Sequence, residues 1–265
     1  MPTPGRVIFR RPAVRSMTAG LSAFVVLVVA AWIGHARLGP PADDPTQPPG
    51  WDDRALADVQ AISREPRPRG SDAHLGAREY LVTQLRDAGW TVETPSAHSP
   101  RYFQRSGIRL EVINIIATLP GAEPGPRLML MAHYDSRRDS PGAGDDASGV
   151  AAVLHAARKL AERAERRNEV VVVLTDGEEE GLVGALALFE QQIDPESIGA
   201  LLNFEGRGSW GPVVMFESEG NERVLINHFS AAVRRPVTSS LAAELYRIMP
   251  NATDFTVSRG KGVPG

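Results

Sequence analysis

The run Val170–Leu174 constrains the fold more than any other stretch, because it holds five consecutive apolar residues. A strand with one face in water alternates apolar and polar side chains, so an uninterrupted apolar strand is buried on both faces. Strands of this kind are typical of parallel sheets that carry helices on both sides. The run therefore predicts a central strand between two helical layers.

Helical and strand patterns alternate around this run. The segments with helical spacing of apolar residues are 72–88, 148–165, 181–189, 221–233 and 239–248. The further segments with strand character are 90–92, 112–119, 128–132, 200–204 and 213–216. The alternation predicts an α/β fold, a three-layer sandwich with a mostly parallel central sheet, over residues 51–265. Segments 112–119 and 128–132 are separated by a turn rich in Pro and Gly, and we expect them to pair with each other.

An apolar segment precedes this body. Met17–Gly34 contains no charged side chain, and as a helix it would span about 27 Å, close to the hydrocarbon core of a bilayer. Four arginines come before it, and positive charge marks the cytoplasmic side. We predict a basic cytoplasmic tail over residues 1–16, a single transmembrane helix over 17–36 in contact with membrane lipid, and an extracytoplasmic body. A cleaved signal peptide and a buried core helix are the alternatives.

Composition narrows the class of protein. Residues 37–50 are rich in Pro and predict an extended linker between anchor and body. Residues 41–265 carry 24 basic and 32 acidic side chains, which argues against nucleic acid as a partner. The chain has no Cys, which excludes disulfide scaffolds, Cys-ligated zinc sites and cysteine nucleophiles.

Polar side chains follow three of the predicted strands. The first strand is followed by His133, Asp135 and Asp145, the second by Glu178–Glu180, and the third by Glu205. Carboxyl ends of parallel strands meet at one edge of a sheet, so we expect these groups to lie together. One imidazole among carboxylates suits Zn²⁺, with Mn²⁺ or Co²⁺ as substitutes.

Each cluster alone also has a purely structural interpretation. Asp146 and Ser148 are good helix caps, and an acidic run is stabilised at a helix N-terminus. His133 alone could be a satisfied residue at a strand end. The metal hypothesis therefore depends on all three strand ends being considered together.

Four separated motifs resemble metallopeptidase family 28. They are the strings His-Tyr-Asp-Ser at 133–136, Ser-Pro-Gly-Ala-Gly-Asp-Asp-Ala-Ser-Gly at 140–149, Thr-Asp-Gly-Glu-Glu-Glu-Gly-Leu at 175–182 and Asn-Phe-Glu at 203–205. Order and spacing match from about residue 66 to the end. Family members are two-zinc exopeptidases, mostly aminopeptidases, and the chain most resembles the membrane-bound branch of vacuolar membrane protease and endoplasmic reticulum metallopeptidase. The resemblance implies a zinc aminopeptidase that acts on peptide substrates.

The resemblance also implies a role for each motif residue. His133 and Glu205 would bind the first zinc, Asp145 would bridge both zincs, Glu179 would bind the second zinc, Glu178 would be the general base, and Asp135 would orient His133. Asp145–Asp146 corresponds to a position where the family tends to have a cis peptide bond. The resemblance carries no role for Tyr246 or Asp254. We expect His74, His98, His155 and His228 to be structural or surface residues.

Two other functions are compatible with the same scaffold. A zinc-dependent glutaminyl cyclase uses one metal and forms pyroglutamate without attack by water. A catalytically inactive, receptor-like ectodomain is the other alternative. The complete set of five residues, His133, Asp145, Glu178, Glu179 and Glu205, disfavours the inactive protein, because a decayed site is expected to lose ligands.

The family pattern implies one further zinc ligand, a His that lies beyond a Gly-x-Pro-Gly turn. That turn corresponds to Gly262–Gly265, and no His follows His228. We therefore expect the catalytic domain over 51–265 to be incomplete at its C-terminus. The first zinc would then bind through His133, Asp145 and Glu205, while the second would bind weakly.

Overall fold

The computed structural model describes residues 51–99, 110–206, 213–220, 222–233, 236–238 and 252–265, together with Val25, Val28, Tyr246 and Ile248. The chain forms two compact units, residues 1–43 with 210–212 and residues 44–209 with 213–265. Apart from Val25 and Val28, all the described residues belong to the second unit.

The anchor predicted over residues 17–36 lies outside the described residues, except that Val25 and Val28 are helical. The Pro-rich linker lies outside them as well. Within the part of the chain that the structure describes, no helix combines the length and the apolar character needed to cross a bilayer. The anchor and the linker stay predictions.

Most of the helices and strands of the body follow the predicted alternation, but the helices at 51–62 and 254–260 and the strands at 96–98 and 237–238 were not predicted, and segment 112–119 forms two strands. The helix predicted over 239–248 lies outside the described residues, except that Tyr246 and Ile248 are helical. The α-helices with defined bounds are α1 (Trp51–Ile62), α2 (Asp72–Asp87), α3 (Ser148–Ala161), α4 (Val183–Ala187), α5 (Glu222–Ala232) and α6 (Asp254–Gly260). The strands are β1 (Thr91–Glu93), β2 (Ser96–His98), β3 (Glu111–Ile113), β4 (Ile115–Leu119), β5 (Arg127–His133), β6 (Val170–Thr175), β7 (Ile198–Asn203), β8 (Val214–Met215) and β9 (Val237–Thr238).

Five strands form the main sheet in the order β1-β4-β6-β5-β7. Strand β5 is parallel to β6 and β7, whereas β4 is antiparallel to β1 and β6. The predicted α/β class is confirmed, but the sheet is mixed. The expected pairing of segment 112–119 with 128–132 is wrong, because β6 lies between β4 and β5. Strand β6, which contains the wholly apolar run, lies at the centre of the sheet, where neighbouring strands cover both its edges and helices cover both its faces.

The side chains of β6 build two cores. Val170, Val172 and Leu174 pack in the cluster to which α1, α2 and α3 contribute. Val171 and Val173 pack in a second cluster with residues of α4 and α6. All six residues of β6 are buried. Helices therefore cover both faces of the sheet, as the uninterrupted apolar run predicts.

A buried ion pair joins the first helix to this body. Asp58 of α1 accepts two hydrogen bonds from Arg158 of α3, at 2.5 and 3.0 Å. The hydroxyl of Tyr80 donates to Asp58 at 2.7 Å, and Arg158 also donates to the amide oxygen of Gln84 at 2.6 Å. Since Tyr80 and Gln84 belong to α2, the network connects all three helices on this side of the sheet.

The register of the parallel strands determines what meets at their carboxyl ends. His133 lies opposite Thr175, and Met131 lies opposite Asn203. Glu205 comes two residues after Asn203, so the chain carries it to the same edge as His133. The acidic turn that begins at Glu178 starts from this edge too. The three polar clusters therefore share one end of the sheet.

Candidate metal centre

His133 is the centre of the polar site. It ends β5 and is 1% exposed. Its Nε2 lies 2.9 Å from Asp145 Oδ1 and 3.7 Å from Glu205 Oε1, and its Nδ1 lies 3.4 Å from Asp135 Oδ1. A carboxylate beside Nδ1 favours the tautomer with the proton on that nitrogen, which leaves the lone pair of Nε2 available for a metal.

Three side chains place potential metal-ligand atoms close to one another. His133 Nε2 and one oxygen each of Asp145 and Glu205 all lie within 4.8 Å of one another. In a tetrahedral zinc site with bonds of about 2.0–2.1 Å, ligand atoms are about 3.4 Å apart. The distances of 2.9 and 3.7 Å from His133 Nε2 lie on either side of that value. One imidazole and two carboxylates thus fit a zinc ion in chemistry, and the two distances from His133 Nε2 are close to the tetrahedral spacing.

Asp135 connects the imidazole to the acidic turn. It is 1% exposed, and its two oxygens accept the backbone N–H groups of Glu178 at 3.0 Å and Glu179 at 3.2 Å. Burial raises the pKa of Asp135, but His133 and the two N–H donors outweigh it and hold this pKa below its ordinary value. Asp135 is therefore an ionised group that fixes His133 and the glutamate turn relative to each other.

The carboxyl of Glu178 lies in a strongly acidic environment. Burial, followed by the charge of Asp254, raises the pKa of Glu178 to about 9, and Glu205 and Asp135 act in the same direction. Burial also raises the pKa of Asp254 to about 7, although the hydroxyl of Thr175 donates a hydrogen bond to it and opposes the shift. Carboxyl groups gathered in this way disfavour each other's ionisation, and a cation bound among them would offset this repulsion.

The three adjacent glutamates differ in their contacts. Glu180 accepts hydrogen bonds from Arg69 Nε at 2.9 Å and from Arg69 Nη2 at 2.7 Å, so its charge is balanced outside the site. The Oε2 of Glu179 lies 3.9 Å from Nη1 of Arg137. Among the described residues, the group of ligand atoms around His133 does not include Glu179. Its assignment to a second zinc stays a prediction.

The two adjacent aspartates have separate contacts. The Asp145–Asp146 peptide bond is cis, as the resemblance implies. Asp145 turns towards His133, whereas Asp146 is buried and accepts the N–H of Gly149 at 3.1 Å and of His133 at 3.3 Å. Asp146 therefore ties the start of α3 to the end of β5, although the N-cap residue of α3 is Ala147, which makes no side-chain capping bond.

The family assignment follows from residues 114–265, which match the model of peptidase family M28. The chain belongs to this family. The resemblance seen in the four motifs is confirmed, and membership places the chain among the metallopeptidases, a class of hydrolases. The M28 match begins one residue before β4 and includes every strand end that carries a site residue.

Curated relatives of this M28 chain are much longer than it is. A vacuolar membrane protease of Candida dubliniensis is 30% identical over an alignment of 217 positions, which covers 78% of this chain and 23% of the relative. A vacuolar membrane protease of Phaeosphaeria nodorum is 28% identical over an alignment of 288 positions, gaps included, which covers 96% of this chain and 28% of the relative. The chain thus spans about a quarter of the length of these relatives.

Solved structures share the fold of the M28 chain at low sequence identity. A glutaminyl cyclase from Porphyromonas gingivalis has a TM-score of 0.62 at 22% identity, covering 80% of each chain. A Zn-dependent exopeptidase from Parabacteroides distasonis has a TM-score of 0.61 at 22% identity, covering 80% of this chain and 81% of the other. These likenesses establish the zinc exopeptidase-like fold.

Several residues to which the sequence assigned no functional role are buried and polar in the structure. Asp254 is 1% exposed, and the resemblance gave it no role. His74, expected to be structural, has its Nε2 3.0 Å from Asp176 and stacks on Tyr134 with ring centroids 4.7 Å apart. Arg67 is completely buried behind the site, and nothing in the sequence distinguishes it from the other arginines.

An apolar cavity of about 630 Å³ opens beside Glu205. The start of α3, strands β7 and β8, and helix α5 line it, together with part of α6. The apolar side chains in its wall include Leu202, Phe204, Val214, Phe216, Leu225 and Phe229. A space of this size and character next to a candidate metal ligand can hold an apolar group of a substrate.

Proposed function

We propose that this chain is the catalytic domain of a membrane-anchored zinc exopeptidase that removes N-terminal residues from peptides. The observation that carries the proposal is the convergence of His133, Asp145 and Glu205 within 4.8 Å. In this proposal His133, Asp145 and Glu205 would hold one zinc, and Asp145 and Glu179 would hold a second. Bound zinc supplies a Lewis acid and lowers the pKa of water to about 7.

Glu178 transfers the proton in the proposed reaction. It accepts a proton from the attacking water and delivers it to the amine that leaves. Burial, followed by the negative charge of Asp254, raises the pKa of Glu178 to about 9, so positive charge nearby would lower this pKa towards about 7. A base with a pKa near the working pH both accepts and releases a proton readily. The two N–H bonds to Asp135 keep the Glu178 turn in place during these transfers.

The surroundings of the site support a free N-terminus as the group that is recognised. The carboxyl groups of Asp145, Glu178 and Glu179 attract a positively charged α-amine. The apolar cavity beside Glu205 offers room for the side chain of an apolar N-terminal residue. We therefore expect unblocked peptides with large apolar first residues to be preferred substrates.

Two observations support the membrane anchor. Met17–Gly34 is free of charge and follows a basic tail. The relatives from Candida dubliniensis and Phaeosphaeria nodorum are named vacuolar membrane proteases. Together they favour a single-pass protein with its catalytic domain on the extracytoplasmic side.

A second candidate function is glutaminyl cyclase. The likeness to the Porphyromonas gingivalis cyclase supports the scaffold, and one group of three ligands suits a reaction with a single zinc. In that reaction the N-terminal amine of a glutaminyl peptide attacks its own side-chain amide and releases ammonia. Water is not the nucleophile, so the two functions differ in product.

The deciding experiment measures zinc content and two reactions on the same protein. The substrates are leucine amide and a peptide that begins with Gln, with N-acetyl-leucine amide as the blocked control. We expect leucine amide to be hydrolysed and the blocked amide to survive. Glu178→Gln should abolish hydrolysis while Glu180→Gln, a neighbour paired with Arg69, should retain it. Cyclisation without hydrolysis would favour the second function, and zinc binding without either reaction would favour the receptor-like protein.

A further inference from the structure

Arg67 is a buried charge with an unusual set of partners. It is 0% exposed. Its Nε donates to the carbonyl of Tyr134 at 2.7 Å, its Nη2 donates to the carbonyl of Gly142 at 3.3 Å, and its Nη1 donates to the carbonyl of Pro141. Among the described residues, no carboxylate forms an ion pair with it. Burying a guanidinium costs several kcal/mol. Because the side chain is buried nonetheless and bonds to three carbonyls, we expect these bonds to have a specific structural role.

These bonds hold both ends of one loop. The backbone N–H of Arg67 donates to Ser136 Oγ at 2.9 Å, and the N–H of Ser136 donates to the carbonyl of Arg67 at 3.2 Å. Ser136 directly follows Asp135, while Gly142 comes three residues before Asp145. The main chain of Arg67 thus fastens the start of the loop, and its side chain fastens the end.

The far end of the loop leads directly to Asp145. The carbonyl of Gly142 accepts one hydrogen bond from the guanidinium of Arg67 and another from the N–H of Ala147, the latter at 3.0 Å. The bond from Ala147 closes the turn that contains Asp145. Gly142 has φ of 62°, and a Cβ there would lie 2.3 Å from the carbonyl oxygen of Asp145 and 2.7 Å from Cβ of Ser136. With so little free space, a shift of Gly142 must move Asp145.

We infer that Arg67 is a positioning residue for the metal centre, because its clamp on the loop sets Asp145 against Nε2 of His133. The inference rests on the zinc binding proposed above. The charge of Arg67 contributes as well, since it attracts Asp135, Asp145 and Asp146 through space and moderates their mutual repulsion. Arg67 contacts neither substrate nor metal, and it acts through the loop.

The test is the zinc affinity of Arg67→Lys, measured by competition with a chelator. Lys keeps the positive charge but lacks the planar fork that reaches separate carbonyls. Losing a residue that orients metal ligands typically costs about 10–100-fold in metal affinity, and we expect a zinc Kd at least about 10-fold weaker. The absorption spectrum of the Co²⁺-loaded protein should shift, because the position of Asp145 changes. A merely structural residue would lower stability without either effect.

The matched control is Arg158→Lys. Arg158 is also a buried arginine with several bonds, but it lies ten residues into α3, about 15 Å from the helix start. Arg158→Lys should reduce thermal stability and leave the zinc Kd within twofold of the original protein. If Arg67→Lys does not fold, Ser136→Ala removes the hydroxyl that accepts the N–H of Arg67 and tests the same loop.

The outcomes separate this inference from the proposed function. If Arg67→Lys, or Ser136→Ala in its place, binds zinc within twofold of the original protein and gives its Co²⁺ spectrum, the positioning role is overturned and the proposed function stands. If the original protein binds no zinc, both fall. Weaker zinc binding by the Arg67 or Ser136 variant, with Arg158→Lys unchanged, supports the inference.

Discussion

Replacement of Glu178 by Gln gives the sharpest test of the proposed chemistry. Gln has the same size and keeps the backbone N–H that Asp135 accepts at 3.0 Å, so the turn should be preserved. It cannot take a proton, and general acid–base transfer contributes about 10²–10⁴-fold to a rate. We expect kcat for leucine amide to fall at least about 100-fold, equivalent to about 2.7 kcal/mol of barrier.

The same variant has a second effect in metal-free protein. The pKa of Glu178 is raised from 4.5 to about 9, so folding favours its protonated form. That stabilisation is complete below pH 4.5 and is lost as the pH rises through about 9. At pH 7 the raised pKa lowers the free energy of unfolding by at most about 3 kcal/mol. Solvent at the partly exposed carboxyl reduces this loss to about 1–3 kcal/mol.

The assay combines kinetics with denaturation. The kinetic arm measures kcat and zinc content of the original protein, Glu178→Gln and Glu180→Gln. The denaturation arm uses urea with EDTA at pH 4.5 and pH 7, where Glu178→Gln should gain about 1–3 kcal/mol of stability at pH 7 only. Glu180→Gln loses a bond to Arg69 and should gain nothing. The base assignment is refuted if Glu178→Gln retains more than about a tenth of the original kcat.

Further predictions concern the ligands, the helical network and the anchor. Asp145→Asn and His133→Ala should both lose zinc and activity, with Asp145→Asn the more severe, and full zinc occupancy in that variant would contradict a bridging role. Asp58→Asn leaves Arg158 buried without its counter-charge, so the free energy of unfolding should fall by about 3–5 kcal/mol in urea; a change below about 1 kcal/mol would contradict the buried pair. Protease added to intact cells should digest an extracytoplasmic body, and a protected body would argue against the predicted orientation.

Local patterns in the chain were sufficient for the central strand and for several helices, but they missed α1 and α6. Residues 72–88 predict a helix, and α2 covers Asp72–Asp87 with Ser71 as its cap. Val170–Leu174 predicts a strand buried on both faces, and every residue of β6 is buried. These features follow from side-chain periodicity, which depends on neighbours close in sequence.

The pairing of the strands and the contacts that support the site could be seen only in the tertiary structure. Segments 112–119 and 128–132 are adjacent in sequence, yet β6 separates them, because pairing follows the burial of whole faces and not the length of a turn. His133, Asp145 and Glu205 were recognisable from their residue types and motifs. Arg67 was not, because a buried arginine that binds carbonyls has the same local signature as an exposed one, and only its contacts with residues about 70 positions later reveal its place.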